Sequence, residues 1–480
     1  MSDFTMTIDG NSIAGEHSFG VINPASGAVF AQAPECSRAQ LDAAMDAAAR
    51  AFRSWKQDVG ARRAALVACA DAIKERIGEL APILTQEQGK PFARATEELI
   101  GAAVWLQYTA SLAIPLEVVQ DDAKVRIEVR RRPYGVVGAI TPWNFPVLLG
   151  VWKIAPALLA GNTLVLKPSP YTPLSTLKLG EILRDALPAG VLNVVSGNDQ
   201  LGAWITAHPA VRKVSFTGSV ATGKKVAAAC APDLKRMTLE LGGNDAAIVL
   251  DDVDPQQVAE KLFWGAFANT GQICGAIKRL YVPERLEQPI VAALAAIAKG
   301  VKVGDGMQSD TQLGPLNNKM QFDRVNELVA DAKKAGGRCV TGGAPRPGAG
   351  YFIPPTLVTG LAEGSRLVDE EQFGPALPIV TYRDVADAVA RANGTMYGLS
   401  GSVWSSNLAR ATEVAGQLEC GTAWVNQHLA IVPNAPFGGA KWSGIGVENG
   451  PWGLLGFTEL QTVNIAKDPE APRNATPPPA

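Results

Sequence analysis

The chain has 480 residues, 47% hydrophobic and 19% charged, with 44 Lys+Arg against 46 Asp+Glu and a formal charge of −2. Such a composition fits a soluble globular protein with room for two or three domains. It offers no basic surplus for nucleic acid or an anionic membrane surface.

The start, MSDFTMTIDGNS, is polar where a secretory leader would be apolar. The longest apolar stretch, residues 145–159, is interrupted by Gly150, Lys153 and Pro156, so no membrane span is expected. Six cysteines at 36, 69, 230, 274, 339 and 420 form no C-x-x-C pair, and the three histidines are scattered. Reduced thiols, a cytoplasmic setting and no metal site follow as expectations.

Residues 1–36 read as short strands and turns. Ser37 and Gln40 make a capping box, and Leu41, Met45, Ala48 and Phe52 then share one helical face up to Trp55. Further helices are predicted over about 62–80 and 92–112. Residues 125–132, VRIEVRRR, alternate apolar and charged before Pro133 and read as an edge strand or a surface hairpin.

From Gly135 short buried runs alternate with helices: VVGAI, TLVLK, VLNVV, KVSFT and MTLEL, with helices near 150–160, 173–186, 199–207 and 220–230. That texture predicts a parallel α/β sheet with ligands at the carboxyl ends of its strands. Two strand ends stand out. Lys167-Pro-Ser-Pro170 follows one. Gly218-Ser-Val-Ala-Thr-Gly223 follows another and opens a helix, where backbone N–H groups can meet a pyrophosphate. A second α/β segment follows Gly243, with helices near 255–268, 284–299, 317–335, 384–392 and 407–417. Residues 456–465 alternate as a strand, and 468–480 read as a disordered tail.

One stretch carries chemistry. Glu240-Leu-Gly-Gly243 opens it and Gly271-Gln-Ile-Cys274-Gly-Ala276 closes it. A glutamate and a lone cysteine that a fold can bring together are the parts of a thiol nucleophile with a general base.

Seven motifs occur in order: TPWNFP (141–146), KPS (167–169), FTGS (216–219), ELGG (240–243), GQICGA (271–276), EEQFGP (370–375) and PFGG (436–439). Together they make the chain resemble the NAD(P)-dependent aldehyde dehydrogenase superfamily, of the non-acylating, hydrolytic type. The resemblance implies an α/β, aldehyde dehydrogenase-like fold. A Rossmann-type cofactor domain would hold 1–121 and 141–242, an α/β catalytic domain 243–450, and a small β bridging and oligomerisation arm 122–140 with 451–467. It implies a homodimer or homotetramer.

The roles it implies are as follows. Cys274 is the nucleophile, passing through a thiohemiacetal and a thioester. Asn144, with the Cys274 N–H, is the oxyanion donor, and Glu240 is the base for the deacylating water. Lys153 and Glu448 support a proton path or the architecture. Lys167 holds the adenosine ribose, with Ser169 beside it. Gly218, Ser219 and Gly223 serve the pyrophosphate. Leu241 and Gly242 lie beside the cofactor, and Glu371 and Phe373 hold its nicotinamide end. Ile140, Thr141, Pro142 and Trp143 line the cleft. Pro170 stands where NAD-preferring relatives carry a glutamate, so NAD is expected with NADP tolerated.

The substrate tunnel would be lined by Phe145, Leu148, Trp152, Ala268, Ile273, Ile431 and Phe437, favouring an apolar aliphatic or aromatic aldehyde. Gln427, His428 and Asn434 could bond a polar tail. The alternatives are a semialdehyde dehydrogenase, succinate-semialdehyde-like or CoA-acylating, and a non-catalytic NAD-binding relative.

Overall fold

A computed structural model describes residues 4–467, so the expected tail at 468–480 lies outside the described residues. The predicted capping box forms: Ser37 Oγ accepts from Gln40 N while the Gln40 side chain accepts from Ser37 N, and the helix Arg38–Trp55 follows. The expected helix over 62–80 is two helices, Val59–Glu75 and Ile77–Gln88, broken at Arg76. Apolar spacing runs unbroken through the break, which is why periodicity alone misses it. The helix Phe92–Ser111 completes the N-terminal bundle.

An eight-stranded sheet takes its central five strands from Val136–Ile140, Thr163–Lys167, Leu192–Val194, Val211–Thr217 and Arg236–Glu240, all parallel. Val136–Ile140 lies between Val211–Thr217 and Thr163–Lys167. The chain therefore winds to one side from Val136–Ile140 and returns to its other side at Val211–Thr217. That is a topological switch point, where open α/β sheets bind ligands.

The second sheet has seven strands, and Asp245–Val249 pairs in parallel with both Ile277–Pro283 and Ser400–Trp404. Thr356–Thr359, a strand the sequence reading passed over, joins it in parallel beside Ala376–Tyr382. Buried apolar residues fuse the first sheet with the N-terminal helices, and separate clusters cover the two faces of the second sheet.

Sheet membership redraws the expected ranges. The span 122–140, expected in the arm, includes Val136–Ile140, which is central to the first sheet because all five of its residues are buried. Gly135, at φ +127°, marks the change. Val125–Pro133 is no edge strand. It is the middle of a three-stranded sheet, flanked by Glu117–Asp121 and Thr458–Ala466. Gly444–Ile445, within the span 243–450, pairs with Leu239 and Glu240 of the first sheet. Among the described residues no helix is long and apolar enough to cross a membrane, and no cluster of three or more His, Cys, Asp or Glu is placed to hold a metal.

Candidate active site

The two sheets meet through opposite ends. Thr141–Asn144 follow the carboxyl end of Val136–Ile140, and Glu240 ends Arg236–Glu240. Cys274 precedes Ile277–Pro283, and Glu371–Phe373 precede Ala376–Tyr382, so the second sheet contributes its amino ends.

The segment before Cys274 is strained. Asn269 and Thr270 adopt φ of +50° and +59°, and a β-branched residue in that region is a conformational outlier. At Gly271, φ +74°, a Cβ would stand 2.4 Å from Gly374 O. Cys274 keeps partial exposure and packs against the apolar cluster of Leu149, Trp152, Leu399, Trp424 and Phe437, with Phe145, Leu148 and Ile431 on the same cluster. Burial pushes its thiol up to about 12; Lys278 pulls it down, and Glu240, Asp245 and Glu371 push it up.

Asn144 is held from two sides. Its Nδ2 donates to Gln272 O at 2.9 Å, tying it to the residue two before Cys274. Its own carbonyl accepts from Lys90 Nζ at 2.9 Å and Asn269 Nδ2 at 3.2 Å. Lys90 forms a buried ion pair with Glu98, each side chain 1% exposed. Glu98 Oε1 in turn accepts from Val147 N and Leu148 N, at the start of the helix Pro146–Ala160. A buried ion pair thus grips the backbone that follows the Asn144 side chain, from its own carbonyl to the first turn of the helix.

Glu240 is buried, and neither carboxylate oxygen has a hydrogen-bond partner. Burial, then the neighbouring Glu448, holds its carboxyl well above the ordinary range, against the pull of Lys153. The absent side chain of Gly438 leaves room for it: a Cβ there would lie 3.1 Å from Glu240 Oε1. Lys153 Nζ pairs with Glu448 Oε1 at 2.9 Å, and Ser215 Oγ bonds both. An unpartnered buried carboxyl is costly, and sites where it persists are candidates for proton transfer.

The residues expected to hold a dinucleotide come together at the switch point. Ser219 caps the helix Val220–Cys230 by accepting from Thr222 N, and Gly218 N donates to Glu240 O. At Gly223 a Cβ would meet Leu241 Cδ2 at 2.5 Å, so glycine permits the close approach of helix and strand. Thr141 N donates to Lys167 O, joining the ends of adjacent strands beside Ile140 and Pro142. Lys167 Nζ reaches Pro168 O at 3.2 Å; burial lowers its pKa to about 8. Ser169 Oγ accepts from Tyr171 N. Glu371 Oε1 accepts from Gly243 N, and a Cβ on Gly242 would collide with Glu371 Oε2 at 2.1 Å. Phe373, at φ +45°, meets Trp143 edge-on at 5.2 Å. Thr141 Oγ1 is buried without a partner. A helix N-terminus, an unpartnered hydroxyl and a carboxylate lying over glycine suit a dinucleotide.

A cavity of about 700 Å³ opens nearby, lined by Phe145, Leu148, Ala268 and Ile273 as expected, together with Trp105 and Trp264. Trp152, Ile431 and Phe437 do not line it; they pack with Cys274 in the apolar cluster. The lining also carries charges absent from the expected set: Arg94, Glu97, Glu260 and Lys261, all exposed, and the buried Lys90 and Glu98. His428 is not free to bond a polar tail. Its Nδ1 bonds Ser402 Oγ at 2.9 Å and its Nε2 bonds Gly275 O at 2.7 Å.

A profile of the aldehyde dehydrogenase family matches residues 12–463. The chain belongs to the aldehyde dehydrogenase family. It is 41% identical over 469 residues to a probable aldehyde dehydrogenase of Pseudomonas sp., covering 97% of this chain and 95% of that one. It is 38% identical to a phenylacetaldehyde dehydrogenase of Pseudomonas fluorescens, covering 94% and 93%. Its fold superposes at a TM-score of 0.95 on the NAD+ complex of an aldehyde dehydrogenase from Bacillus cereus, 35% identical, covering 97% of each chain. Membership makes it an oxidoreductase, as its motifs implied. In this aldehyde dehydrogenase the sequence reading missed three side chains around the candidate site. Lys90 and Glu98 lie outside every motif, and their signal is only a paired charge in a largely buried segment. Lys278 follows the cysteine motif by two residues and reads as part of a basic pair with Arg279.

Proposed function

We propose that this enzyme oxidises an apolar aldehyde to its carboxylic acid with NAD, by way of a thioester on Cys274. Cys274 gives up its thiol proton to solvent and its Sγ attacks the aldehyde carbon, so that the carbonyl π pair becomes an oxyanion. Asn144 Nδ2 and the Cys274 N–H are the donors suited to hold that charge, as the bond from Asn144 Nδ2 to Gln272 O, two residues before the thiol, supports. When the oxyanion re-forms the C=O bond, the aldehyde C–H bond breaks, its hydrogen leaves as hydride, and the thioester remains. The bound nicotinamide supplies the hydride acceptor. Glu371, Phe373 and Trp143 are the residues fitted to its ring end, Ser219 and Gly218 to the pyrophosphate, and Lys167 to the adenosine ribose. Glu240 then takes a proton from water, the hydroxide adds to the thioester carbon, and the C–S bond breaks to return the thiol and release the acid.

The observation that carries this reading is Glu240: a buried carboxyl with both oxygens unpartnered. A non-catalytic relative has no use for it, and acyl transfer to CoA needs no base for water. Lys153 and Glu448 give it a charged path inward.

The cavity supports a bulky apolar substrate, since its wall is largely aromatic and aliphatic, its buried charges Lys90 and Glu98 are paired with each other, and its remaining charges are exposed, Arg94 tied to Glu97 at 2.7 Å. The exposed outer strands Glu117–Asp121 and Thr458–Ala466 support assembly into a homodimer or homotetramer. The test is absorbance of the reduced nicotinamide with short aliphatic, long aliphatic, aromatic and carboxylate-bearing aldehydes, with NAD or NADP, with and without CoA. Reduction without CoA, fastest on aromatic or long aliphatic aldehydes, is expected. Dependence on CoA, or preference for a carboxylate-bearing aldehyde, refutes it.

A further inference from the structure

Lys278 is buried, with its side chain 2% exposed, and belongs to none of the steps above. Its Nζ donates to the carbonyls of both Ile273 and Cys274, the first at 3.0 Å. The next carbonyl, Gly275 O, is held by His428 Nε2 at 2.7 Å. Trp404 Nε1 donates to Ser402 Oγ, which leaves the serine proton for His428 Nδ1 and makes Nε2–H the donor to Gly275. Three consecutive carbonyls around the thiol are therefore pinned by buried side chains from other positions.

Lys278 has a second partner. Its Nζ lies 3.6 Å from Glu371 Oε1, the carboxylate that also accepts from Gly243 N at 3.2 Å. One ammonium is thus shared between the nucleophile's backbone and the carboxylate fitted to the nicotinamide ribose.

We infer that Lys278 is a positioning residue that couples the seating of the dinucleotide at Glu371 to the readiness of Cys274. The inference rests on the nucleophile and cofactor roles proposed above. Its physical basis is competition for one cation. The charged groups that act on Cys274 are Lys278, Glu240, Asp245 and Glu371, and Lys278 is the one that favours the thiolate. While Glu371 faces Lys278, that carboxylate offsets the ammonium's field at the sulfur. When ribose hydroxyls engage Glu371 and draw it away, the same ammonium acts on the thiol less opposed, and the thiol proton leaves more readily. Asp245, whose carboxylate Lys278 also favours, accepts from Ser400 N and Oγ and stays fixed.

The test is the rate of iodoacetamide labelling of Cys274, read by peptide mass spectrometry across neutral and alkaline pH, with and without NAD. In the wild type NAD should move the labelling profile toward lower pH. Lys278→Met should move the profile to higher pH, slowing labelling about tenfold at fixed neutral pH for each unit moved, and abolish the response to NAD. Lys278→Arg should restore part of that response. Glu371→Gln should shift the profile to lower pH without any NAD. A Lys278→Met profile that coincides with the wild type, or one that keeps its NAD response, overturns the inference. Should Lys278→Met fail to fold, Glu371→Gln decides alone, and an unmoved profile refutes the coupling. Retained turnover in Cys274→Ala would instead sink the underlying nucleophile assignment, whatever the labelling profiles show.

Discussion

Replacing Glu240 with glutamine separates the chemistry of the site from its stability. Glutamine keeps the shape and removes the base. General-base catalysis contributes about 10²–10⁴-fold, so hydrolysis of the thioester should slow by that factor while hydride transfer proceeds. In stopped-flow absorbance the variant should give a burst of about one reduced nicotinamide per site, followed by a steady rate reduced to match. Hydroxylamine, which attacks thioesters without a base, should restore turnover.

The structure also fixes the sign of the stability change. Burial and Glu448 raise the Glu240 pKa in the folded state, so between the unfolded value of about 4.3 and that raised value the native protein binds more protons than the unfolded chain. Wild-type stability therefore falls as pH rises through this window, by about 1.4 kcal/mol for each unit of displacement. Glu240→Gln removes that loss. Its melting temperature should exceed the wild-type value at alkaline pH, with the gap narrowing toward acid. A burst lost together with turnover, or a variant less stable at every pH, would refute this account of Glu240.

Other consequences follow from particular contacts. Lys90→Met leaves Glu98 buried without its cation, which should cost about 3–5 kcal/mol by chemical denaturation. It should also slow the burst itself, and in an Asn144→Ala background that slowing should disappear, since both act through one donor. Lys153→Met should leave the burst intact but make steady turnover more dependent on added buffer bases, if the Lys153–Glu448 pair carries protons toward Glu240. Ala268→Phe should lower kcat/KM for aromatic and long aliphatic aldehydes and spare short ones, measured across the aldehyde panel. Leu460→Glu, placing charge on an exposed outer strand, should reduce the mass measured by light scattering.

Much of this was legible from residue order. Strand–helix alternation gives the parallel sheet, and seven motifs in sequence give the family and the site's vocabulary. Local chemistry was equally readable at Ser37 and Gln40, where the capping box needs only neighbours. What escaped the reading depends on distance in space. Lys90 and Glu98 acquire meaning only when the helix Phe92–Ser111 sets them beside Asn144 and the helix Pro146–Ala160. His428 looked available for a ligand because nothing local announces that Gly275 and Ser402 take both of its nitrogens. The break at Arg76 escaped because apolar spacing continues across it. Val125–Pro133 was read as an edge because its residues alternate, whereas the middle strand of a small sheet with one open face alternates too.

The central claim is that the oxidised aldehyde resides on Cys274 before water releases it. The direct measurement is mass spectrometry of the Glu240→Gln enzyme, acid-quenched after mixing with NAD and phenylacetaldehyde. The account predicts an adduct equal to the aldehyde less two hydrogens, located on the peptide that carries Cys274 and lost on treatment with hydroxylamine. Reduced nicotinamide formed without any adduct on Cys274, or an adduct on another residue, would contradict it.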